Sequence, residues 1–376
     1  MNSAYLILEN GDIFPGEAIG YQNYQQIDGE IIFNTSMTGY QEIMTDPSYH
    51  GQIVTFTYPS LGNYGISLSA SEKKTIQVKA ALFNHLSFLP SHYSSQENVN
   101  QWLIKNKIPA INTVDTRAIV KRIRKSGSMK ALISKNKPSK PINWKKIHPD
   151  TSVKSIFSNI NSEKSFPMYY KYNINSKHKL RILLIDFGFK QSILQNLIRE
   201  DCEVITVPFN VNYSQIQKLH PDGILLSNGP GDPQNLSYSL PKIKKIASHY
   251  PTLGICFGHQ LVALAFGAKT KKLFFGHHGP NQPVKNLQTG KVYITSQNHS
   301  YVVDKKSISN TNFSISFKNI NDNSIEGLEH KKLPISTVQF HPEGHPGPQD
   351  SKYIFKKFLK NVQKRKEEVY ALNQSP

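Results

Sequence analysis

Cysteine is nearly absent from this chain: Cys202 and Cys256 are the only two in 376 residues. Two distant thiols cannot form a disulfide framework and lack the paired spacing of a zinc site, so a reducing cytoplasm is the compartment that fits. Long apolar runs are missing as well. The most apolar stretch, around Cys256 to Ala268, is interrupted by His259 and Gln260, so no membrane span is expected. The segment Met1 to Glu9 lacks a basic start and runs into a Gly-Asp turn, so no signal peptide is expected. No glycine-rich loop leads into Lys-Ser/Thr, and no Rossmann glycine pattern opens a helix. The usual nucleotide cradles are therefore excluded.

Arginine is the third shortage. Lysine and arginine together number 45 against 26 acidic residues, a net charge of +19, yet only six of the 45 are arginine. Nucleic-acid readers favour arginine forks and aromatic platforms, and neither clusters here. The densest basic stretch, Lys121 to Lys146, reads as a solvated helix and loop. Phosphate neutralisation is the competing reading.

The chain falls into two halves of different rhythm. Residues 1–150 read as a smaller β-rich α/β domain, with strand patterns at Ala4–Leu8, Glu30–Asn34 and Gln52–Tyr58 and helical patterns at Asn98–Lys105 and Thr116–Lys125. Residues 151–179 are poor in pattern and read as a linker. From residue 180 to 376 strand and helix alternate. Strands are expected at Leu180–Phe187, Cys202–Val207, Gly223–Ser227 and Thr252–Ile255. Helices are expected at Lys190–Arg199, Ser214–Leu219, Pro241–Ser248 and Gly258–Phe266. That order predicts an α/β fold with a mostly parallel sheet, whose ligands bind beyond the carboxyl ends of the strands. The pattern then turns more β-like, at Val292–Thr295, Phe313–Phe317 and Ser336–Phe340, and closes with a basic helix, Tyr353–Arg365.

Chemistry concentrates at those strand ends. Gly254-Ile255-Cys256-Phe257-Gly258-His259-Gln260 reads as strand, sharp turn, helix, placing a thiol where helix backbone dipoles favour an anionic sulfur. His341-Pro342-Glu343 follows the predicted strand Ser336–Phe340. An imidazole there can take the thiol proton and a carboxylate can orient the ring. Gly229 and Gly231, in Asn228-Gly229-Pro230-Gly231-Asp232-Pro233, let backbone approach a ligand, and the N–H of Phe257 is a natural oxyanion donor. A lone cysteine after a strand is usually a small buried hydrophobe, as Cys202 is expected to be. Three such motifs in order, each at a strand end, argue for a nucleophile. His277 and His278 are adjacent on an extended segment and point to opposite faces, so no shared metal ion is expected.

Together these three motifs resemble the signature of class I glutamine amidotransferases of the triad type. The resemblance implies a flavodoxin-like C-terminal domain, Cys256 as nucleophile, His341 as base and then acid, Glu343 as orienter, and glutamine held by Gln260, Gly229, Gly231 and Phe257. In the first half, Phe33-Asn34-Thr35-Ser36-Met37-Thr38-Gly39-Tyr40-Gln41-Glu42, Thr45-Asp46-Pro47-Ser48-Tyr49 and Tyr58-Pro59-Ser60-Leu61-Gly62-Asn63-Tyr64-Gly65 are similar to the N-terminal domain of carbamoyl phosphate synthase small subunits. Val114-Asp115-Thr116-Arg117 fits the same domain, and Phe275-Gly276-His277-His278-Gly279 and Gln297-Asn298-His299 fit the second. The resemblance further implies that Ser48, Asn298, Ser300 and Tyr301 contact glutamine. Ser300 stands where that family usually has glycine, and Phe257 where leucine is common. A large partner subunit, in a heterodimer or an oligomer of heterodimers, would supply ATP, Mg2+ and bicarbonate chemistry, and this chain would carry no cofactor of its own. Another class I amidotransferase, a silent scaffold of the same fold and a cysteine peptidase on a similar elbow are the alternatives.

Overall fold

The structure is a computed structural model that describes residues 2–157, 170–173 and 180–374. The chain separates into two compact units. The first comprises residues 2–156 and the segment Phe274–Pro280, and the second takes the remainder. Phe274–Pro280, read from the sequence as part of the second half, is held in the first unit by backbone hydrogen bonds. Thr35 N donates to His278 O at 3.2 Å and Ser128 N to Phe274 O at 2.9 Å.

In the first unit seven strands close into a barrel, in the order Ser3–Leu8, Ile13–Gly20, Pro109–Asn112, Ala80–Leu82, Gln52–Phe56, Gln26–Asn34 and Met129–Ser134. Period-two alternation explains why these segments are strands. Ile31, Phe33, Ile53, Ala80, Leu82 and Ile111 enter one apolar cluster, while Ile32, Val54, Ala81 and Ala110 enter another. The second cluster also takes Tyr40, Ile43, Met44, Val99, Trp102 and Leu103 from the helices Tyr40–Thr45 and Val99–Lys105. Asn98 and Gln101 form a capping box on the latter helix, worth about 1 kcal/mol.

Four barrel strands escape the sequence reading. Ala80–Leu82 and Pro109–Asn112 are too short to show a period. Ile13–Gly20 carries Pro15 and Gly16, ordinarily turn residues. A Cβ at Gly16 would lie 2.4 Å from Ile111 Cγ2, so that glycine is a site of close strand approach. Met129–Ser134 follows a basic helix and begins with Met and Lys.

In the second unit the core is a parallel ladder. Arg181–Asp186 pairs with Glu203–Pro208 and with Gly223–Leu226, which pairs with Thr252–Ile255, which pairs with Ile335–Val338. Leu183, Leu184, Leu225, Leu226, Leu253 and Ile255 are fully buried, as strands covered on both faces require. The helix Tyr353–Gln374 extends beyond its expected end and lays Phe355, Phe358, Leu359 and Val362 on this core at helical spacing.

The expected parallel sheet is larger than foreseen. Antiparallel Ile325–His330 and Phe313–Asn319 extend one edge, followed by Thr270–Asn286 and Val292–Val303. Tyr170–Tyr172 adds antiparallel to Glu203–Pro208 on the other. Of the expected 151–179 linker, Val153–Ile156 is a short helix and Tyr170–Tyr172 is this edge strand. Residues 158–169 and 174–179 of that linker lie outside the described residues.

Candidate active site

Four neighbouring parallel strands deliver the site. Lys190 follows Arg181–Asp186, Asn228 follows Gly223–Leu226, Cys256 follows Thr252–Ile255, and His341 follows Ile335–Val338. Cys256 N donates to Val338 O at 2.8 Å, so the elbow stays in register with the strand that leads to the histidine. At Cys256 φ is 52° and ψ is −101°, a conformation that costs a side-chain-bearing residue about 1–3 kcal/mol. The flanking glycines make the turn possible. A Cβ at Gly258 would sit 2.3 Å from Leu226 O, and one at Gly254 2.8 Å from Gly258 O. The helix Phe257–Ala265 starts there, with its residues Phe257 to Leu264 buried.

His341 Nδ1 lies 2.7 Å from Glu343 Oε1, and the same oxygen lies 3.1 Å from Lys190 Nζ. All three side chains are buried. Burial opposes the charged imidazole, but the Glu343 carboxylate and Cys256 outweigh it and raise His341 to about 10. Burial likewise opposes the carboxylate, and the Lys190 ammonium followed by His341 lowers Glu343 to about 2. With Nδ1 committed to Glu343, Nε2 is the nitrogen left to exchange a proton with Cys256. The thiol Sγ lies 3.6 Å from Asn298 O and 3.7 Å from Gln339 Nε2.

His259 is the other histidine of the elbow motif. Its Nδ1 sits 2.8 Å from Thr337 Oγ1, and complete burial lowers it to about 3. It is a neutral core residue, which leaves His341 as the base.

The expected glutamine-contacting residues divide between the units. Ser48 lies in the first, in the short turn Pro47–Tyr49, where its N–H donates to Asp46 Oδ1 at 2.8 Å. The others lie in the second. A Cβ at Gly229 would meet Phe187 O at 2.5 Å, and Gly231 has φ of 83°. The Phe257 ring packs beside Phe187, and its N–H belongs to the first helical turn, which has no intrahelical acceptor. Asn298, Ser300 and Tyr301 lie on the strand Val292–Val303. Ser300 is not among the positive-φ residues, so serine fits where the resemblance led one to expect glycine. Gln260, on the elbow helix, donates its Nε2 to Tyr301 O at 2.7 Å and to Gln339 Oε1 at 3.0 Å.

Lys190, Asn228 and Gln339 were missed. Asn228 Oδ1 accepts from Lys190 N at 3.1 Å and so anchors the loop that carries the ammonium. Each of the three stands just after a parallel strand, and that position was the available signal.

Two family profiles together cover most of the chain. Residues 183–361 match the family described as "Glutamine amidotransferase class-I", and residues 6–133 match "Carbamoyl-phosphate synthase small chain, CPSase domain". The chain is 47% identical over 369 residues to the carbamoyl phosphate synthase arginine-specific small chain of Halalkalibacterium halodurans, covering 98% of this chain and 99% of that protein. The chain belongs to the carbamoyl phosphate synthase small-chain family.

Within that small-chain family it is also 47% identical over 365 residues to the arginine-specific chain of Bacillus subtilis, covering 97% of this chain and 98% of that one. To the pyrimidine-specific small chain of the same organism it is 42% identical over 370 residues, covering 98% and 99%. The small-chain profile spans the barrel. The amidotransferase profile takes in Lys190, Cys256, Gln339, His341 and Glu343. Among the described residues of this family member, no helix is long and apolar enough to cross a membrane.

Proposed function

We propose that Cys256 hydrolyses glutamine to glutamate and ammonia, and that this chain is the glutaminase subunit of a glutamine-dependent carbamoyl phosphate synthase. The observation that carries the reading is the line Cys256, His341, Glu343, Lys190 at the ends of strands of one parallel ladder. His341, whose affinity for a proton is raised, holds the thiol proton on Nε2 as the imidazolium of an imidazolium–thiolate pair, and the thiolate sulfur attacks the side-chain amide carbon. The resulting oxyanion is met by the N–H of Phe257 and by backbone at Gly229. The imidazolium returns its proton to the amide nitrogen, ammonia leaves, and a glutamyl thioester remains. His341 then takes a proton from water, whose oxygen attacks the thioester carbon, and the proton passes back to sulfur as glutamate departs.

Ser48, Asn298, Ser300 and Tyr301 are assigned to glutamine recognition in this reading. Free ammonia is protonated at neutral pH and loses its nucleophilicity, so it must pass sheltered to a synthetase. We assign that role to a large subunit that binds ATP and Mg2+ and makes carbamoyl phosphate from bicarbonate in the cytoplasm, for arginine and pyrimidine synthesis. The test supplies glutamine to the purified chain, alone and with a carbamoyl phosphate synthase large subunit, and follows glutamate. No glutamate in either case, or undiminished release by Cys256→Ser, would reject the proposal.

A further inference from the structure

Gln339 is fully buried and none of the motifs absorbs it. Its Nε2 lies 3.7 Å from Cys256 Sγ, and its Oε1 accepts from Gln260 Nε2 at 3.0 Å. Gln260 Nε2 gives its other hydrogen to Tyr301 O at 2.7 Å. A backbone carbonyl is an acceptor only, so Tyr301 O dictates which end of the Gln260 amide faces it. His299 Nδ1, 3.0 Å from the same carbonyl, is placed to donate as well. With Gln260 fixed as donor, Gln339 must turn its oxygen toward Gln260 and its N–H toward the sulfur. One carbonyl thus sets the orientation of two amides in series.

We infer that Gln339 is a further catalytic residue, an N–H donor to the Cys256 sulfur whose orientation is set through Gln260 by the main chain of the strand Val292–Val303. The inference rests on Cys256 being the nucleophile. The reacting sulfur then has two fixed neighbours besides His341: the Asn298 carbonyl at 3.6 Å, which suits a thiol, and the Gln339 amide, which suits a thiolate. Asn298 and Tyr301 belong to the strand assigned to glutamine, so both contacts depend on the position of that one strand.

The charged and titratable groups around the sulfur are His341 and Glu343, from the continuation of Ile335–Val338, and Lys190, from the loop after Arg181–Asp186. His259 on the elbow helix turns away to Thr337. Once His341 has taken the thiol proton its Nε2–H also faces the sulfur, and the Gln339 N–H is a second, uncharged donor that does not depend on that proton.

The test uses the full chain and two readouts. Alkylation of Cys256 by iodoacetamide, followed on its own peptide by mass spectrometry, needs no glutaminase turnover. It should slow about tenfold or more in Gln339→Leu at neutral pH, as expected for loss of a hydrogen bond to a charged group. The deficit should close at high pH, where the sulfur is ionised without help. A deficit equal at all pH values would mean altered access and would overturn the inference. Glutaminase kinetics should show the loss mainly in kcat, with KM nearly unchanged.

Gln260→Met should give a smaller effect of the same sign, and the double variant should be no worse than Gln339→Leu alone. Additive effects would overturn the serial link. Should Gln339→Leu not fold, Gln260→Met carries the same test, since unaltered alkylation there would also overturn it. Wild-type chain that alkylates at Cys256 but releases no glutamate would reject the glutaminase reading and leave the Gln339 contact standing.

Discussion

Lys190 Nζ lies 3.1 Å from Glu343 Oε1, and neither side chain reaches solvent. The carboxylate is thus gripped from two sides, by the ammonium and by His341 Nδ1. An ionised carboxyl in an apolar interior needs such partners, and removing one leaves a buried charge uncompensated.

Lys190→Met should therefore destabilise the chain by about 3–5 kcal/mol. It should also move acid unfolding to higher pH. Glu343 is held low, near 2, chiefly by Lys190, so its contribution to stability is present above the ordinary carboxylate range and is lost only as pH falls toward 2. Without the ammonium that loss begins at a higher pH. Urea titrations at pH 3, 5 and 7 read this directly, and an unshifted acid limb would show that Lys190 does not hold the charge.

His341 predicts the opposite limb. Its affinity for a proton is raised to about 10, so its contribution is complete below an unfolded histidine value near 6.5 and fades as pH rises toward 10. Wild-type stability should carry a downward component between those pH values. Glu343→Gln removes the strongest raising influence, so that component should shrink. Unfolding midpoints in urea at pH 6.5 and 9.5 for both chains decide the matter, and equal slopes would contradict the assigned pairing.

What the sequence displays well is whatever depends on neighbours in the chain. Cys256 between Gly254 and Gly258, and His341 two residues before Glu343, are local patterns, and each follows a short strand that the alternation of strands and helices marks out. What depends on partners distant in sequence stays hidden. Lys190 looks like the start of a helix until the sheet order sets Arg181–Asp186 two strands from Thr252–Ile255. Gln339 looks like the end of a strand. The barrel is concealed for a related reason: Ile13–Gly20 breaks its pattern with Pro15 and Gly16, and Gly16 is explained only by the Ile111 side chain packed against it. Ile325–His330 buries Glu326 completely, so its polar residues masked a core strand.

The elbow glycine supplies a steric prediction. In Gly258→Ala the new methyl would lie 2.3 Å from the Leu226 carbonyl, where neither backbone can yield without moving helix or strand. Overpacking of this kind costs about 1–3 kcal/mol. The same displacement would shift the helix that begins beside Cys256. Melting temperature and glutaminase kcat should fall together. A variant with wild-type values of both would mean that the strand and helix have slack at this point.

His341 serves both halves of the reaction, and removing it should leave a chemical trace as well as a slow enzyme. In His341→Asn the thiol proton loses its acceptor, so acylation slows by roughly 10²–10⁴-fold. The thioester that does form meets water that no base activates, so deacylation slows too and the acyl-enzyme persists. Denaturing the chain after incubation with glutamine and measuring intact mass should reveal a glutamyl adduct, mapped to the Cys256 peptide. Cys256→Ser should show none. The adduct also separates His341 from His259, whose Nδ1 is directed to Thr337 and away from the thiol. His259→Asn should lose stability through its buried contact yet retain deacylation. Accumulation of adduct in the His259 variant, with normal turnover in His341→Asn, would exchange the two assignments.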